Sequence, residues 1–482
     1  MNNPLDTNLF DRAAQMAIKA HCGTERRGKG FPYIIHPMEA ASIVATITSD
    51  QELLAAAVLH DTVEDTDVTI EEIRSEFGDR VARLVQHETG PLNESIPWRD
   101  KKQAQIDQLE MADHDCKIVA LGDKLSNMRG LANDYRMIGD KLWSRFHAPN
   151  GKKDIEWYYR SIAGALFELA ETAPYQEFVS LLDDTFGEMD FTEAVKVDLA
   201  NYEESGGGYM ATSYNDRKGF TMVKFYNTYI DKELPVRELQ TAHAVFRMGI
   251  PTPMPGRLVT DGERYGAEFR RINPKESFAR YVSNRPDSYE EIALRFARMC
   301  RQLHATPCNT TIFGPEKEHS LETVARCPHL SDSNKARISQ FIENVEEKST
   351  CLHGDMHIGN VITTALPERE TVQTGVATHD FWIDMGDFRW GNPLYDLGMF
   401  YLVCNYNNED LTQRLFHVSV EMMHKIWNVF IREYYPNITT DAEQAEIEER
   451  LKPFAALKLI YYGTVDKMYP PMMDFIRRAY QL

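Results

Sequence analysis

From residue 8 to about 175, apolar positions recur at three- and four-residue intervals, the period of helices packed on one side. Ala13, Ala17, Ile18 and His21 fall on one face, and Ile43, Val44 and Ile47 on another. Leu53, Leu54, Ala57 and Val58 lead into the pair His60-Asp61. Strand-like alternation is scarce, so this half is expected to be all-α. The texture changes near residue 205. Gly206-Gly207-Gly208 opens a series of alternating runs, Tyr209 to Tyr214, Phe220 to Tyr226, Arg257 to Val259 and Ala267 to Ile272, which predict strands. A helix from Pro235 to Met248 interrupts them and stops at Gly249 before Pro251. Helices return beyond residue 287, broken between about 351 and 385 by a hairpin. The expected organisation is a helical domain over 1–178, a connecting helix and linker over 179–202 (with Phe191 to Tyr202 helical), and an α+β domain over 203–482.

The helical half carries a set of metal-binding side chains. His60 and Asp61 are adjacent, and Glu64 and Asp65 follow each at i+4, which on a helix makes one polar stripe. Asp123 and Asn127 repeat that spacing in a helix expected from Ile118 to Arg129. His36 precedes Pro37, a favourable first-turn residue, so it is expected at a helix mouth. Two imidazoles and two carboxylates suit Mn²⁺, Fe²⁺ or Zn²⁺ better than Ca²⁺ or Mg²⁺. Such an ion lowers the pKa of water it binds, and Glu64 and Asp65 are placed to orient or deprotonate that water. The basic loop Glu25-Arg26-Arg27-Gly28-Lys29-Gly30 beside it reads as a phosphate clamp.

Together with Pro32-Tyr33-Ile34-Ile35-His36-Pro37, His60-Asp61-Thr62-Val63-Glu64-Asp65-Thr66 and Asp123-Lys124-Leu125-Ser126-Asn127-Met128-Arg129, this stretch resembles the HD-domain hydrolases of the RelA/SpoT family, above all the small stand-alone alarmone hydrolases. The resemblance covers about residues 8–165. It implies an Mn²⁺-dependent guanosine 3′,5′-bis(pyrophosphate) 3′-pyrophosphohydrolase acting on a ppGpp-like nucleotide. His36, His60, Asp61 and Asp123 match the metal ligands, Glu64 and Asp65 the water-activating pair, and Arg26, Arg27, Lys124 and Asn127 substrate-contact positions.

The second half carries phosphotransfer chemistry. His353-Gly354-Asp355 with Asn360 places a carboxylate and an amide on one loop. Transfer of a phosphoryl group to a hydroxyl needs a carboxylate beside the attacking oxygen and oxygen ligands for Mg²⁺. The runs Val361-Ile362 and Phe381-Trp382-Ile383 read as two strands that return Asp384 to the same point. Upstream, Lys224 in a strand and Glu238 in the following helix form a candidate pair for nucleotide phosphates, with the glycine triplet as a cover. His304 is read as structural. This set is similar to the aminoglycoside phosphotransferase/choline kinase family, over about residues 200–482. That similarity implies a two-lobed protein-kinase-like fold, ATP or GTP with Mg²⁺, and a small-molecule hydroxyl as acceptor. By motif, Asp355 is the catalytic base, Asn360 and Asp384 hold metal, Lys224 binds phosphate, and Asp396 supports the catalytic loop.

Bulk properties narrow the partners. A chain of 482 residues is expected to hold more than one domain. A net charge of −20 disfavours nucleic acid and anionic membrane as main partners. The seven scattered cysteines form neither a disulfide framework nor a zinc motif, and without a signal peptide or spanning run the chain is expected to be cytoplasmic. The leading expectation is a bifunctional enzyme. Two others stand beside it: an HD hydrolase for another nucleotide or an NADPH-like phosphate, and a nucleotide-sensing domain that regulates the kinase domain.

Overall fold

The computed structural model describes residues 8–26, 29–89, 96–207, 210–273, 275–365, 378–465 and 467–482. Two compact units divide the chain, Met1–Glu193 and Ala194–Leu482.

The first unit is helical: α1 (Asn8–Ala20), α2 (Ile35–Ala45), α3 (Gln51–Leu59), α4 (Thr62–Asp65), α5 (Ile70–Phe77), α6 (Asp79–Glu88), α7 (Trp98–Glu110), α8 (His114–Ile138), α9 (Lys152–Ala165) and α10 (Ala173–Phe186). Side chains start them where the sequence places Asp or Thr before an apolar run. Asp50 accepts from Glu52 N to cap α3, Thr69 and Glu72 form a reciprocal capping box on α5, and Asp113 caps α8. α8 is the central element, burying Ile118, Val119, Leu121, Leu125 and Met128. At Gly122 an added Cβ would stand 2.8 Å from the Ala40 carbonyl oxygen and 2.8 Å from Val44. The missing side chain lets α8 press directly on α2, and that approach carries Asp123 to His36.

The second unit begins with a six-stranded sheet. Its strands are β1 (Val195–Lys196), β2 (Tyr202–Gly207), β3 (Ala211–Asp216), β4 (Thr221–Tyr226), β5 (Pro255–Thr260) and β6 (Tyr265–Arg270), ordered β1-β5-β6-β4-β3-β2. All neighbours are antiparallel except β1 and β5. Helix α11 (Glu233–Arg247) packs against β5 and β6. The remainder is mainly helical and encloses a core that includes Phe278, Phe296, Trp382, Phe400, Trp427 and Phe430. Each such fully buried side chain contributes about 1.5–3 kcal/mol relative to exposure. Into this helical part are set β7 (Glu276–Ser277), β9 (Val361–Ala365) and β10 (Thr378–Trp382), which form a three-stranded sheet, and the pair β8 (Thr350–Leu352) and β11 (Arg389–Gly391). The helical first unit and the kinase-like sheet-plus-helix second unit are the fold classes expected.

Three local expectations fail. Phe191 to Tyr202 is not a helix: Val195 and Lys196 pair with Val259 and Thr260, and a short 3-10 turn follows. Phe191, Val195, Leu199 and Tyr202 are spaced as on a helix, but β-branched Val195 gains a strand partner instead. Ile18 lies off the buried face of α1, 52% exposed, while Ala13 and Ala17 are fully buried. Gly206 and Gly207 pair with Ser213 and Thr212 as the end of β2 rather than forming a loose cover; Gly208 and Tyr209 lie outside the described residues. No described helix is long and apolar enough to cross a membrane.

Candidate active sites

In the first unit, His36 in the opening turn of α2, His60 and Asp61 between α3 and α4, and Asp123 of α8 converge. His36 Nε2 lies 3.3 Å from Asp61 Oδ2 and 3.1 Å from Asp123 Oδ1. His60 Nε2 lies 3.1 and 3.4 Å from the same two oxygens, and 3.3 Å from His36 Nε2. Ligands about 2.1 Å from one ion stand about 3.0 Å apart in an octahedron and about 3.4 Å apart in a tetrahedron. The five spacings above fall in that range; His36, His60 and Asp61 form the compact set, and Asp123 joins it through the two imidazoles.

The proton inventory points the same way. His60 Nδ1 is 2.8 Å from the Ala57 carbonyl oxygen, which can only accept, so Nδ1 carries the proton. Ser126 gives its hydroxyl proton to Glu39 at 2.7 Å, so it accepts from His36 Nδ1 at 2.8 Å. Both Nε2 lone pairs therefore face two carboxylates. Burial opposes a charge on His60, but Asp61 and Asp123 outweigh it and raise its pKa well above the usual value. One added proton answers one of these contacts, whereas a single cation answers all four. The residues fit a divalent metal ion.

The surroundings hold the ligands in place. Tyr33 donates to Asp61 Oδ2 at 2.7 Å, and burial followed by Asp61 pushes its own pKa far upward. Asn127 donates to Asp123 Oδ1, and Lys124 pairs with Asp123 Oδ2. Asn127 Oδ1 in turn accepts from Arg26 at 2.7 Å. Arg129 joins Glu39 at 3.1 Å and Glu177 at 2.6 Å, which fixes the acceptor behind Ser126. Glu64 and Asp65, expected to continue one polar stripe from His60 and Asp61, lie at the edge of the site, with Asp65 beside the Tyr33 hydroxyl. α3 ends at Leu59, the short α4 restarts at Thr62, and both carboxylates are exposed at the rim. Arg27 lies outside the described residues. Lys29 is turned away, bound to Gly130 O at 3.0 Å and Asp134 at 2.7 Å.

In the second unit, Lys224 of β4 lies 2.9 Å from Glu238 of α11 and 3.0 Å from Asp384. Asp384 adopts φ 60° and ψ 50°, a left-handed conformation uncommon for a non-glycine residue. Asp355 and Asn360 share the loop after β8, where Asn360 donates to the Asp355 carbonyl at 2.9 Å and to its carboxylate at 3.3 Å. Burial would raise the Asp355 pKa, but His357 and then Lys458 hold it well below the usual range. Gly354 permits the loop: its φ is +82°, and a Cβ would collide with the Asp387 backbone. Beneath it, buried Asp396 accepts from His353 N at 2.7 Å and Gly354 N at 2.9 Å, and His304 stands 3.2 Å away. Asp396 and His304 are thus supports for the loop. The donor set Asn360 and Asp384, amide and carboxylate oxygens, suits Mg²⁺.

Comparison with known proteins adds the families. Residues 13–145 match the HD domain model, and residues 215–418 match the phosphotransferase enzyme family model. A guanosine-3′,5′-bis(diphosphate) 3′-pyrophosphohydrolase MESH1 of Danio rerio is 45% identical over 139 residues, 28% of this chain and 72% of that protein. The chain belongs to this HD-domain family, and its second unit to the phosphotransferase enzyme family. Longer relatives share only a part: a guanosine-3′,5′-bis(diphosphate) 3′-pyrophosphohydrolase of Aquifex aeolicus is 37% identical over 131 residues, and the match covers 27% of this chain and 18% of that protein. The solved streptomycin–ATP complex of aminoglycoside phosphotransferase APH(2″)-IIa is 13% identical, covering 58% of this chain and 91% of that chain at a TM-score of 0.38.

Sequence reasoning about the HD unit overlooked Ser126, Glu39 and Arg129 as the support behind His36. Ser126 and Arg129 sit in the motif with Asp123, but nothing in their spacing announces Glu39 on another helix. In the phosphotransferase unit it overlooked Lys458, 104 residues past the loop it touches.

Proposed function

We propose that the chain is a bifunctional enzyme. Its HD unit would be an Mn²⁺-dependent guanosine 3′,5′-bis(diphosphate) 3′-pyrophosphohydrolase. Its second unit would be a nucleotide-dependent phosphotransferase acting on a small-molecule hydroxyl. The observation that carries the first assignment is the convergence of His36, His60, Asp61 and Asp123 on one point. These four would hold the ion, which when bound supplies a more acidic water and polarises phosphate oxygen.

The chain's own residues do the rest. Asp65, beside the Tyr33 hydroxyl, and Glu64 are the bases available at the rim to take the proton of the attacking water. Arg26, bonded to Asn127 and lying over the Tyr33 ring, offers donors to a leaving pyrophosphate, with Lys124 and Asn127 beside it. In the second unit, Lys224, braced by Glu238, meets the nucleotide phosphates. Asp355 accepts the proton of the acceptor hydroxyl as its oxygen bonds to the γ-phosphorus, and the bond to the nucleoside diphosphate breaks. Asn360 and Asp384 would hold Mg²⁺ there.

The test is turnover of a nucleotide panel by the full chain with Mn²⁺, scoring pyrophosphate against phosphate. Release of pyrophosphate from the guanosine tetraphosphate, lost in Asp61→Ala, supports the reading. Release of phosphate from another nucleotide or from an NADPH-like substrate instead would replace the substrate and keep the metal chemistry.

A further inference from the structure

Beside Asp355 lies a cleft lined by Glu316, His319, Asp387, Arg389, Lys458 and Tyr461. It adjoins the catalytic loop at Gly354, and its Lys458 Nζ stands 3.8 Å from Asp355 Oδ1. Two cations from different parts of the chain stand in it. Lys458 belongs to the long helix Asp441–Val465 and Arg389 to β11.

Neither cation is used up by its neighbours. Lys458 donates to the Gly354 carbonyl at 2.8 Å, but its carboxylate neighbours Asp355 and Asp387 lie at 3.8 and 3.7 Å, beyond hydrogen-bond reach. The ion pair of Arg389 with Glu316 is long, Nε to Oε2 at 3.4 Å. Charge-assisted pairs that are fully formed close to about 2.7–2.9 Å. Elsewhere in the unit pairs are closer: Arg257 meets both oxygens of Glu268 at 3.0 and 3.1 Å, and Lys224 reaches Glu238 at 2.9 Å. Burial raises Glu316 to about 7 against the pull of Arg389 and Lys458, which weakens its claim on Arg389 near neutral pH. Burial, then Arg389, lowers His319 to about 4, so it adds no positive charge there. An ammonium and a guanidinium thus stand in the cleft, with Asp387 as the carboxylate that shares it.

Resting on the phosphotransferase reading above, we propose that the acceptor of the second unit carries an anionic group, a carboxylate or phosphate, gripped by Lys458 and Arg389 while its hydroxyl meets Asp355. A polycationic acceptor of the aminoglycoside kind would bring its ammonium groups against these two side chains. Arg389 supplies the planar fork suited to an oxyanion, and Lys458 supplies a point charge closer to the reacting atoms.

The probe is inorganic phosphate titrated calorimetrically into the full chain loaded with Mg²⁺ and a non-hydrolysable ATP analogue, which fills the γ-phosphate position. Phosphate binding should weaken at least tenfold in Lys458→Met and in Arg389→Met, and should survive in Lys458→Arg. Phosphate held by the first unit is unaffected by these variants and is subtracted. Streptomycin titrated in parallel should bind wild type no better than it binds Lys458→Met or Arg389→Met. Equal phosphate affinity in wild type and both variants, absence of phosphate binding, or streptomycin binding that Lys458→Met weakens would overturn the proposal. Failure of the phosphotransferase reading shows separately, as ATP turnover that Asp355→Asn leaves intact.

Discussion

His36 and His60 turn their Nε2 atoms toward each other across 3.3 Å, although each imidazole has already committed its Nδ1 proton, to Ser126 and to Ala57. Two lone pairs so placed, with two carboxylates beside them, describe a cation's coordination shell more economically than any hydrogen-bond scheme. Ser126 is what turns His36 into that orientation. Outer partners of this kind tune metal affinity about 10–100-fold. Ser126→Ala should therefore weaken Mn²⁺ binding by that factor in a metal titration while the unit stays folded.

Gly122 should be nearly irreplaceable by larger residues. A β-branched side chain there meets the Ala40 carbonyl and Val44 at once, so α2 and α8 must separate. Gly122→Val is expected to destabilise the first unit by about 1–3 kcal/mol and to lower hydrolysis as Asp123 withdraws from His36. Denaturant unfolding followed alongside pyrophosphate release checks both halves.

In the second unit, binding and chemistry should come apart. Lys224, on β4, contacts Glu238 of α11 and Asp384, whereas Asp355 lies on the loop held by Asp396. Asp355→Asn should cut phosphoryl transfer by about 10²–10⁴ with nucleotide affinity unchanged. Lys224→Met should raise the nucleotide Kd about tenfold or more. Nucleotide titration and steady-state kinetics on the two variants separate the effects.

Glu316 gives a pH signature. Burial lifts its carboxyl from 4.5 to about 7. A carboxyl with a raised folded pKa lends stability while protonated, and that contribution fades as pH rises from about 4.5 through 7. Glu316→Gln escapes the cost of ionising there. Relative to wild type it should gain up to about 3 kcal/mol between pH 5 and pH 8.5. Chemical denaturation at the two pH values measures it, and a constant or reversed difference contradicts it.

Much of this was legible in the sequence because the informative residues are local. Strand periodicity located β4 and β6 to within a residue or two, and helical periodicity found α2, α3 and α8. The hairpin of β9 and β10 followed from two apolar runs flanking a polar stretch. What sequence could not show is direction. Glu64 and Asp65 were aligned with His60 and Asp61 by counting residues, but the break between α3 and α4 turns them to the rim. Phe191 to Tyr202 read as a helix because local spacing does not reveal that Val195 has a strand partner at Val259, 64 residues on. Lys458 and Glu39 escaped notice for the same reason. Their importance comes entirely from long-range packing, and neither sits in a motif.

The most direct measurement is the metal content of the purified chain in the absence of nucleotide, read by manganese spin resonance and elemental analysis on wild type, His60→Ala and Asp123→Asn. The account predicts one tightly held ion per wild-type chain and none in either variant. Equal occupancy in all three proteins would contradict it.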